Sequence, residues 1–202
     1  EKLTWSGGDG STLTVHDTEI GVLGTLACGE NTNPLARFTL MAQGEQVHVA
    51  NYIGLPTAPS DYNMAEAIKL RGMTHSFEGK IFTIISCSAV SEEIIQEMER
   101  FVPNARELLT RESGAFSGVI GPDGNLVGEG LIDDEGIVYA EIDLNRCIQP
   151  KQMHDILGHY NRFDIFDLRV NRTVQTPLTF VNEVYSEDSY NQSLKTSRNE
   201  DD

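Results

Sequence analysis

The run from Ile20 to Cys28 constrains this chain most. Ile20-Gly21-Val22-Leu23-Gly24-Thr25-Leu26-Ala27 is nearly unbroken in apolar and small residues, the pattern of a strand buried on both faces. It stops at Cys28-Gly29. A helix is then expected from Leu35 to Gln43, with Asn33 as N-cap, Pro34 at the first helical position and Gly44 as the stop. Strand, thiol, glycine and helix in that order make a nucleophile elbow. The sharp turn lifts one side chain above the carboxyl edge of the sheet, and the next backbone N–H, that of Gly29, can face a developing anion. A helix N-terminus aimed at a sulfur favours the thiolate. The bland alternative is that Cys28 is a small buried residue, as free cysteines often are.

The rest of the chain alternates strand and helix. Gly7-Gly8-Asp9-Gly10-Ser11 is turn chemistry without phosphate-binding spacing. Leu13–Val15 reads as a strand that reverses through His16-Asp17-Thr18-Glu19 into the buried run. Val47–Tyr52 is the next strand, and a loop from Gly54 to Asp61 containing Pro56 and Pro59 leads into a helix over Met64–Glu78. Lys80–Ala89 is another buried strand, followed by a helix capped by Ser91. Ser117–Val127 predicts a hairpin around Pro122-Asp123-Gly124-Asn125, and Gly136–Leu144 predicts one more alternating strand. The class is therefore α/β with a mixed sheet. One domain is expected over residues 1–172, with a polar extension over 173–202 that is mobile or contacts other subunits.

Charge and cysteine usage narrow the function. A formal net charge of −16 argues against nucleic acid, which requires clustered Lys and Arg. The acidic run Asp133-Asp134-Glu135 and the terminal Glu200-Asp201-Asp202 are expected to be solvated. No stretch approaches the roughly eighteen apolar residues of a membrane helix, and the start lacks a signal-peptide pattern. Cys28, Cys87 and Cys147 form no close pair and no metal-ligand spacing, which fits reduced thiols and a cytoplasmic address. On that basis the glycosylation-like Asn171-Arg172-Thr173 and Asn191-Gln192-Ser193 are discounted. His154 and His159 are not at i, i+4 spacing and no third ligand is evident, so no metal site is expected. No Met stands at position 1, and the chain is expected to be a piece of a longer one.

The letters around Cys28 go further. Ala27-Cys28-Gly29-Glu30-Asn31-Thr32-Asn33-Pro34-Leu35-Ala36-Arg37, followed by Met41-Ala42-Gln43-Gly44-Glu45-Gln46-Val47-His48-Val49, resembles the nucleophile region of nitrilases of the carbon–nitrogen hydrolase superfamily. Glu1-Lys2-Leu3-Thr4-Trp5 with Gly8-Asp9-Gly10, Ser76–Lys80, Ile120–Gly124 and Gly158–Asp164 extend the resemblance in consistent order. It implies an αββα sandwich that dimerises into four layers and often assembles further. It also implies a catalytic set of one Cys, one Lys and two Glu. Cys28 matches the nucleophile and Glu1 the supporting glutamate; the general-base Glu and the Lys belong to segments upstream of Glu1. The implied reaction hydrolyses a small organic nitrile to a carboxylic acid and ammonia without a cofactor, an amidase reaction or a purely assembling role being the alternatives. Cys-Gly-Glu-Asn looks closer to arylaceto- and aliphatic-type nitrilases than to cyanide-degrading ones.

Other residues bear on the same site. Glu30 is read as structural, holding Asn31 and backbone amides. His48, on the opposite strand face from Val47 and Val49, is read as a hydrogen-bonded sheet histidine, with a Cys28–His48 dyad conceivable. Gly29, Asn51 and Tyr52 are assigned to the substrate pocket, since α/β ligands sit at the carboxyl ends of strands, with Tyr52 equally readable as core filling. Cys87 is read as inert core, Cys147 as incidental, and His159-Tyr160 with Arg162 as an interface or pocket wall.

Overall fold

A computed structural model of the chain describes residues 7–54, 62–176 and 178. Glu1, most of the Gly54–Asp61 loop and nearly all of the 173–202 extension lie outside the described residues. Contacts within the chain group residues Glu1–Arg172 into one unit and Thr173–Asp202 into another.

Six strands form one mixed sheet in the order β1-β2-β3-β4-β5-β6. These are β1 (His16–Thr18), β2 (Gly21–Ala27), β3 (Val47–Ile53), β4 (Phe82–Ser88), β5 (Phe116–Ile120) and β6 (Leu131–Ile132). The three long strands β2, β3 and β4 run parallel; β1 joins β2 antiparallel, and β5 and β6 continue the far side antiparallel. Helices α1 (Pro34–Met41) and α2 (Met64–Gly79) make the crossovers between the parallel strands, and α3 (Glu92–Glu99) and α4 (Ala105–Leu109) follow β4. Among the described residues these strands form one sheet, and α2 packs on one of its faces.

Local chemistry explains the helix ends. The Asn33 side chain accepts the Leu35 N–H at 3.0 Å, and Gly44 leaves α1 with φ +89. The Asn63 side chain accepts from the Glu66 N–H, and Ser91 caps α3 through the Ile94 N–H. One sheet face packs on α2 through Ala50, Tyr52, Ile85, Phe116 and Ile120 against Ala65 and Ile68. The opposite face buries Phe82 and Val119 with Cys147, so Cys147 is a core residue rather than an incidental one.

Four expectations need correction. β1 lies at His16–Thr18, where a turn was expected, and Leu13–Val15 forms no strand. Thr18 pairs directly with Gly21, and the Thr18 hydroxyl donates to the Gly21 carbonyl at 2.6 Å, so the reversal needs only Glu19-Ile20. Lys80 is not in a strand. It is the left-handed C-cap of α2 (φ 54), with its ammonium 3.6 Å from the centre of the Phe77 ring. Gly136–Leu144 forms no strand, because its backbone finds no sheet partner among the described residues, although Ala140, Ile142 and Leu144 still cover the Phe82 cluster. Asp133 is more than a solvated acid. Its carboxylate accepts the backbone N–H groups of Ser113, Gly114 and Ala115, pinning the entry to β5. The expected Pro-Asp-Gly-Asn reversal is present: Gly124 takes φ +79, and Ile120 bridges Leu126.

Candidate active site

Cys28 stands immediately after the carboxyl end of β2, with φ 43. A non-glycine residue pays about 1–2 kcal/mol for this left-handed conformation, so other contacts must hold it there. A short 3-10 turn, Cys28–Thr32, separates the thiol from α1. The helix starts at Pro34, the first helical position expected from the sequence, with this turn between it and the thiol. The Glu30 carboxylate accepts the Ala27 N–H at 2.9 Å, closing the turn in front of Cys28. That is a structural role, in line with the sequence reading. Gly29 is exposed, and a side chain added there would meet nothing within 4 Å, which leaves open space beside the thiol.

Behind the elbow lies a buried polar chain. The Asn31 amide donates to the Leu26 carbonyl at 2.9 Å and to the Cys28 carbonyl at 3.2 Å. Its oxygen lies 2.8 Å from His48 Nε2, and His48 Nδ1 lies 2.7 Å from Glu45 Oε1. Glu45 Oε2 in turn lies 2.8 Å from His75 Nε2, and the two imidazoles meet edge to face at 4.3 Å. All four residues are buried, His48 and Glu45 to at least 98 %. Both His48 ring nitrogens are thus engaged by Asn31 and Glu45, which leaves none for a Cys28–His48 dyad.

Elementary constraints place these side chains. Alternation along β3 puts His48, Ala50 and Tyr52 on the α2 face. Gly24, paired with His48 in the sheet, makes room for the carboxylate: a Cβ at Gly24 would stand 2.0 Å from Glu45 Oε1. The sequence reading named Asn31 and His48 but missed Glu45 and His75. Their signal was faint: a charged residue shortly before a buried strand, and a histidine on the buried face of a helix. Glu45, His48 and His75 also bring ligand-type atoms within 4.8 Å of one another. At 2.7–2.8 Å, however, the contacts along the chain are hydrogen bonds, and an ion would have to part them.

The other expected site residues are distributed as follows. Tyr52 is buried at the end of β3, in the same cluster that Cys28 packs against. Burial, reinforced by nearby Cys28 and Cys87 against the opposing charges of Arg71 and Arg37, pushes its phenol up to about 12, so it stays a neutral donor. Asn51 is exposed and, by strand alternation, faces the other side of the sheet from Tyr52. The structure brings Cys28, Gly29 and Tyr52 to one strand-end region and turns the Asn51 side chain away from it. Glu1 lies outside the described residues. Cys87 is half-buried, pairs in register with Tyr52, and lines a cavity of about 650 Å³ with Ser86, Ser88, Ser117 and Asp133. Burial pushes its thiol up, away from reactivity. A second cavity of about 540 Å³ borders Ala27 and Glu30. Both fall within the size range of small-molecule sites. The His159 and Tyr160 rings meet at a tilt with their centres 4.7 Å apart, and Arg162 grips Asp164, all on exposed surface.

An α/β chain presenting a thiol on a left-handed turn at the end of a parallel strand has a framework in which a cysteine can serve as nucleophile. The chain belongs to the carbon–nitrogen hydrolase family, whose model matches residues 1–152. Among curated relatives, the nitrilase 3 of an unknown prokaryotic organism is 32% identical over 173 residues, covering 86% of this chain and 51% of the relative. The aliphatic nitrilase of Rhodococcus rhodochrous is 34% identical over 185 residues, covering 88% and 49%. The chain therefore spans about half the length of the curated relatives it matches. Among solved structures, the carbon–nitrogen hydrolase of Helicobacter pylori is similar in fold, with a TM-score of 0.63 at 22% identity over 82% of this chain and 54% of that one. No helix among the described residues is long and apolar enough to cross a membrane.

Proposed function

We propose that this chain carries the nucleophile half of a nitrilase that converts a small organic nitrile and two waters to a carboxylic acid and ammonia. The observation that carries this is Cys28, held at φ 43 at the end of β2 in a chain about one-third identical to nitrilases. A nitrile carbon is a modest electrophile, and a thiolate is a fitting attacker near neutral pH. The Cys28 sulfur bonds to that carbon while its proton passes through the base to nitrogen, giving a thioimidate. Water adds, the C–N bond breaks, and ammonia leaves behind a thioester. A second water cleaves the thioester to the acid and restores the thiol. Gly29 leaves room for the substrate and Tyr52 supplies a neutral wall and donor; Asn51 would reach substrate only from the far side of the sheet. Glu1 is the proposed supporting glutamate.

By the resemblance noted above, the general base and the charge-stabilising lysine come from sequence preceding Glu1. General acid–base catalysis typically contributes about 10²–10⁴-fold. Donors to a developing anion contribute about 10²–10³-fold each. The 202 residues alone are accordingly expected to turn over slowly while Cys28 still forms an adduct. We further propose that the catalytic domain is residues 1–172, that 173–202 serves subunit contacts in a dimer-based assembly, and that three free thiols suit the cytoplasm.

The test pairs an aliphatic nitrile with its amide, following ammonia release and the mass of the Cys28 peptide. A thioimidate or acyl mass on Cys28 with nitrile, lost in Cys28→Ala, is expected. Preferential amide turnover would make the protein an amidase, the second reading that the breadth of the family supports.

A further inference from the structure

Asn31 sets the polarity of the buried chain behind the elbow. The Leu26 and Cys28 carbonyls can only accept, so the NH₂ of Asn31 must face them. Its oxygen then faces His48 Nε2 and cannot donate, so Nε2 carries a hydrogen. On the other side of the ring, Nδ1 lies 2.7 Å from a Glu45 oxygen, and a hydrogen must lie there too. Burial alone would push the Glu45 carboxyl up, but hydrogen bonds from His48 and His75 outweigh it and hold it below the ordinary value, which makes Glu45 the carboxylate. Nε2–H is thus fixed by Asn31, and Nδ1 is tied to Glu45. Burial holds His75 below the ordinary histidine value despite its bond to Glu45, so His75 is neutral. It donates through Nε2, and its unpartnered Nδ1 is a bare lone pair rather than a stranded N–H.

We propose that Asn31, His48, Glu45 and His75 form a positioning device for Cys28, in which His48, held through Nδ1 by Glu45 and donating through Nε2, locks Asn31 so that its amide clamps the carbonyls on both sides of the elbow. This rests on reading Cys28 as the nucleophile. An Asn amide can turn over about its last torsion, exchanging oxygen for NH₂. The Nε2–H of His48 forbids that exchange, because it would set donor against donor. A His48 carrying only its Nδ1 proton would instead invite Asn31 to donate to Nε2. The amide oxygen would then face two carbonyl oxygens, and Cys28 would lose the contacts that hold it left-handed. These four side chains need not touch substrate; they act through the backbone of Cys28.

Two measurements on the full chain test this. The first is the ¹⁵N spectrum of the His48 ring, which reports which nitrogen carries the hydrogen. Nε2 is expected to be protonated, and a ring protonated only at Nδ1 overturns the assignment. The second is competitive iodoacetamide labelling of Cys28 against Cys87, read peptide by peptide, with Cys87 as the internal reference for general loosening. Asn31→Ala and Glu45→Ala are expected to lower the Cys28-to-Cys87 labelling ratio about tenfold, the scale of losing one or two hydrogen bonds. Glu45→Gln should recover most of that ratio. Its NH₂ can donate to Nδ1 of a neutral His48 that keeps Nε2–H toward Asn31, while its oxygen accepts from His75. An unchanged ratio, a parallel change in both cysteines, or a Glu45→Gln as damaging as Glu45→Ala overturns the proposal. If Glu45→Ala does not fold, Asn31→Ala and the His48 spectrum still decide. Labelling by iodoacetamide needs no nitrile, so a missing nitrile adduct with an intact labelling response would sink the nucleophile reading alone.

Discussion

Gly24 and Glu45 depend on each other. The hydrogen at Gly24 leaves the space that the Glu45 carboxylate fills, and two histidines pin that carboxylate so that it cannot swing aside. Gly24→Ala is therefore expected to destabilise the fold by about 1–3 kcal/mol through overpacking, read as a lower urea midpoint at unchanged slope. The same cluster makes stability pH-dependent, and the sign follows from which state binds protons. His75 is held below its ordinary 6.5 in the fold, so below that pH the unfolded chain takes up a proton that the folded one refuses. Its contribution is full above about pH 6.5 and declines as pH falls from 6.5 toward the lower folded value. Glu45, depressed below 4.5, adds a second loss that begins at about pH 4.5. Melting temperature should thus fall from neutral pH toward pH 4. His75→Gln, which cannot titrate, should flatten the upper part of that decline; an unaltered profile would rule His75 out as its source.

At the level of elements, the helix that follows the elbow is legible from its own residues. Asn33-Pro34 and Gly44 mark its ends by local chemistry, and α1 lies between them. Asn33→Ala is expected to cost about 1 kcal/mol by removing the acceptor for the Leu35 N–H, measurable by denaturation. The elements that differ from expectation share one physical cause. Gly136–Leu144 has a strand's alternation, yet alternation specifies only which side chains are buried. Whether the backbone also joins a ladder depends on a neighbouring strand's free edge. Lys80 departs for a related reason. A charged residue between Gly79 and Ile81 reads as the start of an apolar run, but the left-handed cap of α2 and the face of Phe77 hold it outside the ladder.

Considered as a whole molecule, the unit ending at Arg172 leaves several large apolar side chains uncovered. Ile137, Tyr139, Phe163 and Phe166 are each at least 72% exposed. Large exposed apolar patches mark surfaces that bind something. The isolated 202 residues are expected to bind a hydrophobic dye and to associate with rising concentration in sedimentation. A monodisperse, sharply melting monomer that ignores the dye would contradict this.

By itself the sequence determined the order of most strands and helices, the place of the thiol at a strand end, and the family, because these rest on local chemistry and on letters in fixed order. The strand face of Tyr52 and His48 was legible for the same reason, since alternation assigns it. Only the tertiary structure decided that Glu45 and His75, thirty residues apart, meet over Gly24, and that Asn51 turns away from the thiol. Such a meeting depends on how β3 and α2 pack. No spacing within either element encodes the distance between a carboxylate beside one and an imidazole on the other.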